Sequence, residues 1–208
     1  MSDQQSKSSS ADLAKAMAAL RQAAEGGNAE AQFRMGVAYG NGDDGVELDQ
    51  QRAMSWFTQA ARQGHENALI TMAWMYANGA GVEVDEDRAR ELYLMAADHG
   101  SAKAQYVVAT MYRFAQFGAE KDMAQSLRYY TQSADQGFAT AQFALGKMLV
   151  EGKLVEKDTS TALQWLSLAQ VNGSKRAEDY IRDLLQRMSP AEVEQARAAV
   201  LQGPKPQG

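Results

Sequence analysis

Two histidines, His65 and His99, and four regularly placed aspartates, Asp49, Asp85, Asp122 and Asp158, are the residues best equipped for chemistry in this chain of 208. Imidazole and carboxylate together can hold a divalent cation or move protons. A metal site needs further ligands, however, and neither histidine has a His-x-x-x-His partner or a carboxylate cluster of ligand spacing. Both histidines fall at turns between units, so they are expected to cap or to be solvated. The aspartates recur at helix starts, which capping explains. The run Asp43-Asp44-Gly45-Val46-Glu47-Leu48-Asp49 shares only acidity with a calcium loop, lacking the spaced ligands and final glutamate. Glycine-rich Gly40-Asn41-Gly42-Asp43-Asp44-Gly45 precedes no lysine and follows no strand, so it is no phosphate loop. There is no nucleophile elbow and no dinucleotide fingerprint. Cysteine is absent, which removes disulfides, thiolate nucleophiles and cysteine-held metals. The expectation is a protein that is not an enzyme and has no catalytic residue, metal or cofactor.

The elements behind these residues are set by a repeat. Gly27, Gly64, Gly100, Gly137 and Gly173 follow one another at intervals of 37, 36, 37 and 36 residues. Ala31, Ala68, Ala104, Ala141 and Ala177 each stand four residues after one of them. The four aspartates each precede a glycine by fifteen. The extra residue of the longer units falls just before Asp49 or Asp122, which marks that stretch as a loop, because packed helices cannot absorb length changes.

Each unit reads as two helices. The first carries Ala31, Met35, Ala38 and Tyr39, or Ala68, Met72, Met75 and Tyr76, at helical spacing. The second starts at the aspartate as N-cap and shows a one-sided stripe, Ala53, Trp56, Phe57, Ala60 and Ala61. It closes on a glycine suited to a left-handed position. Gly36, Ala73, Ala109 and Gly146 are expected where helices approach closely. Methionines on first helices, such as Met35, Met111 and Met148, suit core packing or an adaptable surface.

The predicted organisation is a disordered tail over 1–10, an N-terminal capping helix over 11–26 and four repeats over 27–173. C-terminal capping helices over 174–202 and a disordered tail over 203–208 complete it. The last helix opens at Ser189-Pro190-Ala191-Glu192, an N-cap serine, N1 proline and N3 glutamate. The fold class is all-α, a right-handed α/α superhelical solenoid.

The net charge of −5 gives no basic footprint for nucleic acid. The polar start lacks a signal-peptide core and no segment reaches membrane-span length, so a cytoplasmic protein with no membrane partner is expected.

The strings Ala31-Gln32-Phe33-Arg34-Met35-Gly36, Ala141-Gln142-Phe143-Ala144-Leu145-Gly146, Tyr76-Ala77-Asn78-Gly79-Ala80-Gly81-Val82 and Trp56-Phe57-Thr58-Gln59-Ala60-Ala61-Arg62-Gln63-Gly64 closely resemble the Sel-one-like repeat, a relative of the tetratricopeptide repeat. The resemblance covers about residues 11 to 188. It implies a protein-interaction scaffold whose first helices line a concave surface binding a protein segment or peptide. By analogy with tetratricopeptide packing, Val37, Trp74, Thr110 and Lys147 would form one row on that surface, and Asn41, Asn78, Phe114 and Glu151 the next. These rows vary between units where the Ala positions do not, as either a binding face or tolerant surface would.

Trp74 is an exposed anchor or packs on its neighbour. The third unit departs from the family pattern at Arg113-Phe114-Ala115-Gln116-Phe117-Gly118, where Arg113, Phe114 and Phe117 are candidate contacts, although the two aromatics could instead fold inward. The alternative function is a small-molecule or cell-wall-fragment binder or hydrolase, like cysteine-rich relatives, whose cysteines this chain lacks. Self-association through the terminal helices is a further expectation.

Overall fold

A computed structural model of the chain describes residues 2–43, 45–152 and 157–202. The described residues form eleven helices and no strand. They divide into two compact units, Met1–His99 and Gly100–Gly208.

The first unit contains α1 (Ser2–Glu25), α2 (Ala29–Asn41), α3 (Gln50–Ala61), α4 (Glu66–Asn78) and α5 (Glu86–Asp98). Its helices pack in chain order, α1 on α2, the α2–α3 pair, α3 on α4, and the α4–α5 pair. Met35, Phe57, Leu69, Met72 and Tyr93 are buried between them. The second unit contains α6 (Ala102–Phe114), α7 (Met123–Asp135), α8 (Ala139–Glu151), α9 (Thr159–Val171), α10 (Lys175–Gln186) and α11 (Pro190–Gln202). Val108, Met111, Tyr130, Leu145, Met148 and Leu166 fill its core. α10 and α11 both pack on α9, adding Ala177, Leu184 and Ala196 to the Leu166 cluster. The first-helix methionines are therefore core residues.

The punctuation falls where the spacing predicts it. Asp49, Asp85, Asp122 and Asp158 accept hydrogen bonds from the amides of Arg52, Arg88, Gln125 and Thr161, satisfying donors that a helix start leaves unpaired. The glycines closing the second helices all have positive φ. At Gly146 an added Cβ would lie 2.6 Å from Leu166 Cγ and 2.9 Å from the Ala162 carbonyl oxygen, so α8 and α9 meet there at backbone distance. Ser189 and Glu192 form the expected capping box, with the Ser189 amide and hydroxyl both donating to Glu192 Oε2 at 2.7 Å.

One boundary differs from expectation. α1 begins at Ser2, inside the stretch read as an N-terminal tail. Residues 2–25 contain neither Gly nor Pro, so no helix breaker separates that stretch from the capping helix. The stretch 203–208, read as the other tail, lies outside the described residues.

Candidate functional site

In the first unit, α2 carries Val37 and Asn41, and α4 carries Trp74 and Asn78, at matching turns. Val37 is half-buried. Trp74 is 53% exposed, so its indole faces solvent. Both asparagines are engaged locally. Asn78 Nδ2 donates to the Trp74 carbonyl at 2.8 Å, and Asn41 Nδ2 donates to Asp43 Oδ2 at 2.9 Å. They finish helix ends as well as facing outward.

In the second unit, α6 carries Thr110, Arg113 and Phe114. Thr110 Oγ1 donates to the Val107 carbonyl at 2.7 Å, turning its hydroxyl back onto the helix. Phe114 is 59% exposed, and the Arg113 guanidinium lies 5.0 Å from its ring centroid, within cation–π range. Arg113 also hydrogen-bonds the phenol of Tyr130 on α7. Burial raises the Tyr130 pKa, and the Arg113 bond and charge partly oppose that rise. Arg113 thus ties an exposed aromatic to the core. The following loop takes two residues through the left-handed region without glycine, Ala115 at φ 53° and Phe117 at φ 52°. Phe117 is half-buried and Phe114 is not, so only one of the two aromatics stands outward. On α8, Lys147 Nζ and Glu151 Oε1 are 3.6 Å apart.

The histidines serve turns. His65 caps α4, its Nδ1 accepting from the Ala68 amide at 3.3 Å and its Nε2 lying 3.0 Å from Glu30 Oε2. Its ring stacks on Phe33 with centroids 4.8 Å apart. His99 closes α5. Among the described residues, no group of three or more His, Cys, Asp or Glu could hold a metal ion. No described helix is long and apolar enough to cross a membrane.

A set of buried amides escaped the sequence reading. Gln32 donates to the Ala24 carbonyl and accepts from Gln63. Gln142 donates to the Ala134 carbonyl and accepts from Asn172, and Gln136 donates to Gln105. Gln32, Gln105 and Gln142 each follow one of the repeated alanines, and Gln63, Gln136 and Asn172 each precede one of the repeated glycines, which was the available signal. The second repeat has Leu69 and His99 at these positions, so amide and partner are replaced together.

Paired helices repeated at a fixed period, with outward residues that change from repeat to repeat, define a helical-repeat protein. The Sel1 repeat model matches residues 29–65, 67–101, 102–138 and 139–169, and the chain belongs to the Sel1 repeat family, whose members generally act as non-catalytic protein–protein interaction scaffolds. It is similar to c5321, a protective antigen of uropathogenic Escherichia coli strains displaying an SLR fold, with 34% identity over 77% of this chain and 34% of that one, TM-score 0.71. It is also similar to a Sel1 repeat protein from Oxalobacter formigenes, with 32% identity over 82% of this chain and 49% of that one, TM-score 0.76. The chain thus spans between a third and a half of those two proteins. The immunity protein Pa5087 of Pseudomonas aeruginosa shares the fold at 21% identity over 91% of this chain and 74% of that one, TM-score 0.56. No curated protein matches the chain.

Proposed function

We propose that the protein is a non-catalytic adaptor that binds a protein segment or peptide on the outward faces of its first helices. The observation carrying this reading is the exposure of Trp74 and Phe114. Both lie on the first-helix rows that vary between repeats, while Ala31, Ala68, Ala104 and Ala141, buried between the helices, keep their type. Large exposed aromatics on a rigid helix suit the anchoring role that few residues fill at an interface. Val37, Asn41, Asn78, Thr110, Arg113, Phe117, Lys147 and Glu151 are the accompanying candidates.

The test is affinity purification from the native cell with wild type and a Trp74→Ala, Phe114→Ala variant. The variant is expected to keep its helical signal and melting temperature and to lose partners the wild type recovers. Unchanged recovery would remove the assignment.

Self-association through α1 is a second reading. Leu13 is 43% exposed and borders an open cleft of about 390 Å³ with Met17, Leu20 and Arg34. Light scattering across a concentration series should then show growth in mass that Leu13→Asp abolishes.

A further inference from the structure

The outward registers of the first helices change charge along the chain. The residue before each repeated alanine is Glu30 on α2 and Asn67 on α4, but Lys103 on α6, Thr140 on α8 and Arg176 on α10. Six residues after the alanine, Val37 and Trp74 give way to Thr110 and Lys147. Residues 1–99 contain 8 Lys and Arg against 15 Asp and Glu, whereas residues 100–208 contain 13 against 11. The second unit is therefore locally basic within an acidic protein.

Side-chain contacts join the helices that carry these registers inside that unit. Tyr106 of α6 meets Phe138, the residue capping α8, at 5.5 Å. Phe143 of α8 meets Tyr180 of α10 at 5.8 Å and lies 4.9 Å from the Arg176 guanidinium. Lys103 and Arg176 are exposed, and Lys103 has no ion-pair partner among the described residues. Lys147 is held only loosely by Glu151, at 3.6 Å with its side chain 45% exposed. Phe114 stands at the C-terminal end of the same face of α6.

Resting on the reading above, we propose that the face of α6, α8 and α10 takes an acidic protein segment. Its carboxylates meet Lys103, Lys147 and Arg176, and an apolar side chain packs on Phe114. Discrete cations and a separate exposed aromatic suit a segment that carries both carboxylates and apolar groups. Glu151 and the exposed Asp183 interrupt the basic surface, which disfavours the continuous phosphate chain of a nucleic acid.

The experiment selects random displayed peptides on the whole protein at low salt. A synthetic copy of an enriched peptide is then measured by fluorescence anisotropy. Enriched peptides should carry Asp or Glu beside an aliphatic or aromatic residue, and should bind more weakly as salt rises. Lys103→Glu with Lys147→Glu should weaken them about tenfold or more, as reversing complementary charge does, while the same reversal at the exposed Arg62, at the end of α3, leaves them unchanged. Lys103→Gln with Lys147→Gln gives a milder second variant should the first fail to fold.

Neutral or basic enriched peptides, indifference to both lysine variants, or displacement by polyuridylate would each overturn the inference. So would dimerisation in light scattering that the lysine variants abolish, since the acidic half of a second copy would then be the occupant. Peptides indifferent to the lysines but lost with Trp74→Ala would overturn it and leave the general reading intact. Peptides indifferent to every substitution, or no enrichment at all, would remove both.

Discussion

Ala115 occupies the left-handed position that Gly42, Gly79 and Gly152 take after the other first helices. A side chain there costs about 1 kcal/mol that glycine avoids. Ala115→Gly should therefore raise stability by about 0.5–1 kcal/mol in denaturant unfolding, the gain being trimmed by the greater freedom of glycine in the unfolded chain. Ser126 and Ser133 replace the alanines found at equivalent positions (Ala53, Ala89 and Ala162; Ala60, Ala96 and Ala169), and donate to the Ala109 and Ala102 carbonyls. Those carbonyls sit within α6, whose own ladder supplies partners, so Ser126→Ala and Ser133→Ala should each change stability by less than about 1 kcal/mol. Asp158 is held below the usual carboxylate range by the Thr161 hydroxyl and then by backbone amides. A lowered folded-state pKa gives stability that is complete above the unfolded value near 4 and is lost as pH falls through the folded value. Asp158→Asn should match the wild type at pH 7, because asparagine caps equally well, and should lose less stability as pH falls below about 4.

The helices are short, 12 or 13 residues apart from α1, and lengths of this order are marginal alone in water. Packing between them must supply the rest. Gly146→Ala gains helix propensity of about 1 kcal/mol but drives a methyl into Leu166 and the Ala162 carbonyl, and backbone cannot yield as a side chain can. A net loss of about 1–3 kcal/mol is expected in thermal or denaturant unfolding. Gln142→Leu places in the fourth repeat the residue that the second has at Leu69. Alone it strands Asn172 and removes the bond to Ala134, costing about 1 kcal/mol. Adding Asn172→His, which completes the second repeat's pairing, should recover part of that loss, as a double-mutant cycle would report.

Within each unit, stability is distributed between packed pairs of helices near one another in the chain, as in other repeat proteins. Damage should therefore stay local. Gln32→Leu breaks the link from α1 through α2 to Gln63, and hydrogen exchange should quicken in α1, α2 and α3 while α5 keeps its protection. Uniform quickening across the first unit would show that it opens only as one block. The unequal charge of residues 1–99 and 100–208 belongs to this scale too, since it sets the two units apart electrostatically.

The sequence by itself determined the repeat, the aspartate caps and the left-handed glycines, because each is dictated by neighbours within a few residues. It named Trp74 and Phe114 through their irregularity between repeats, but irregular spacing carries no information on solvent exposure. Only the tertiary structure decided that both rings face water and that Arg113 reaches Tyr130 while lying over Phe114. The glutamine links were equally hidden, although their residues repeat in plain view. A hydrogen bond such as Gln32 to Gln63 joins positions 31 residues apart, and only the packing of successive helices brings them within reach.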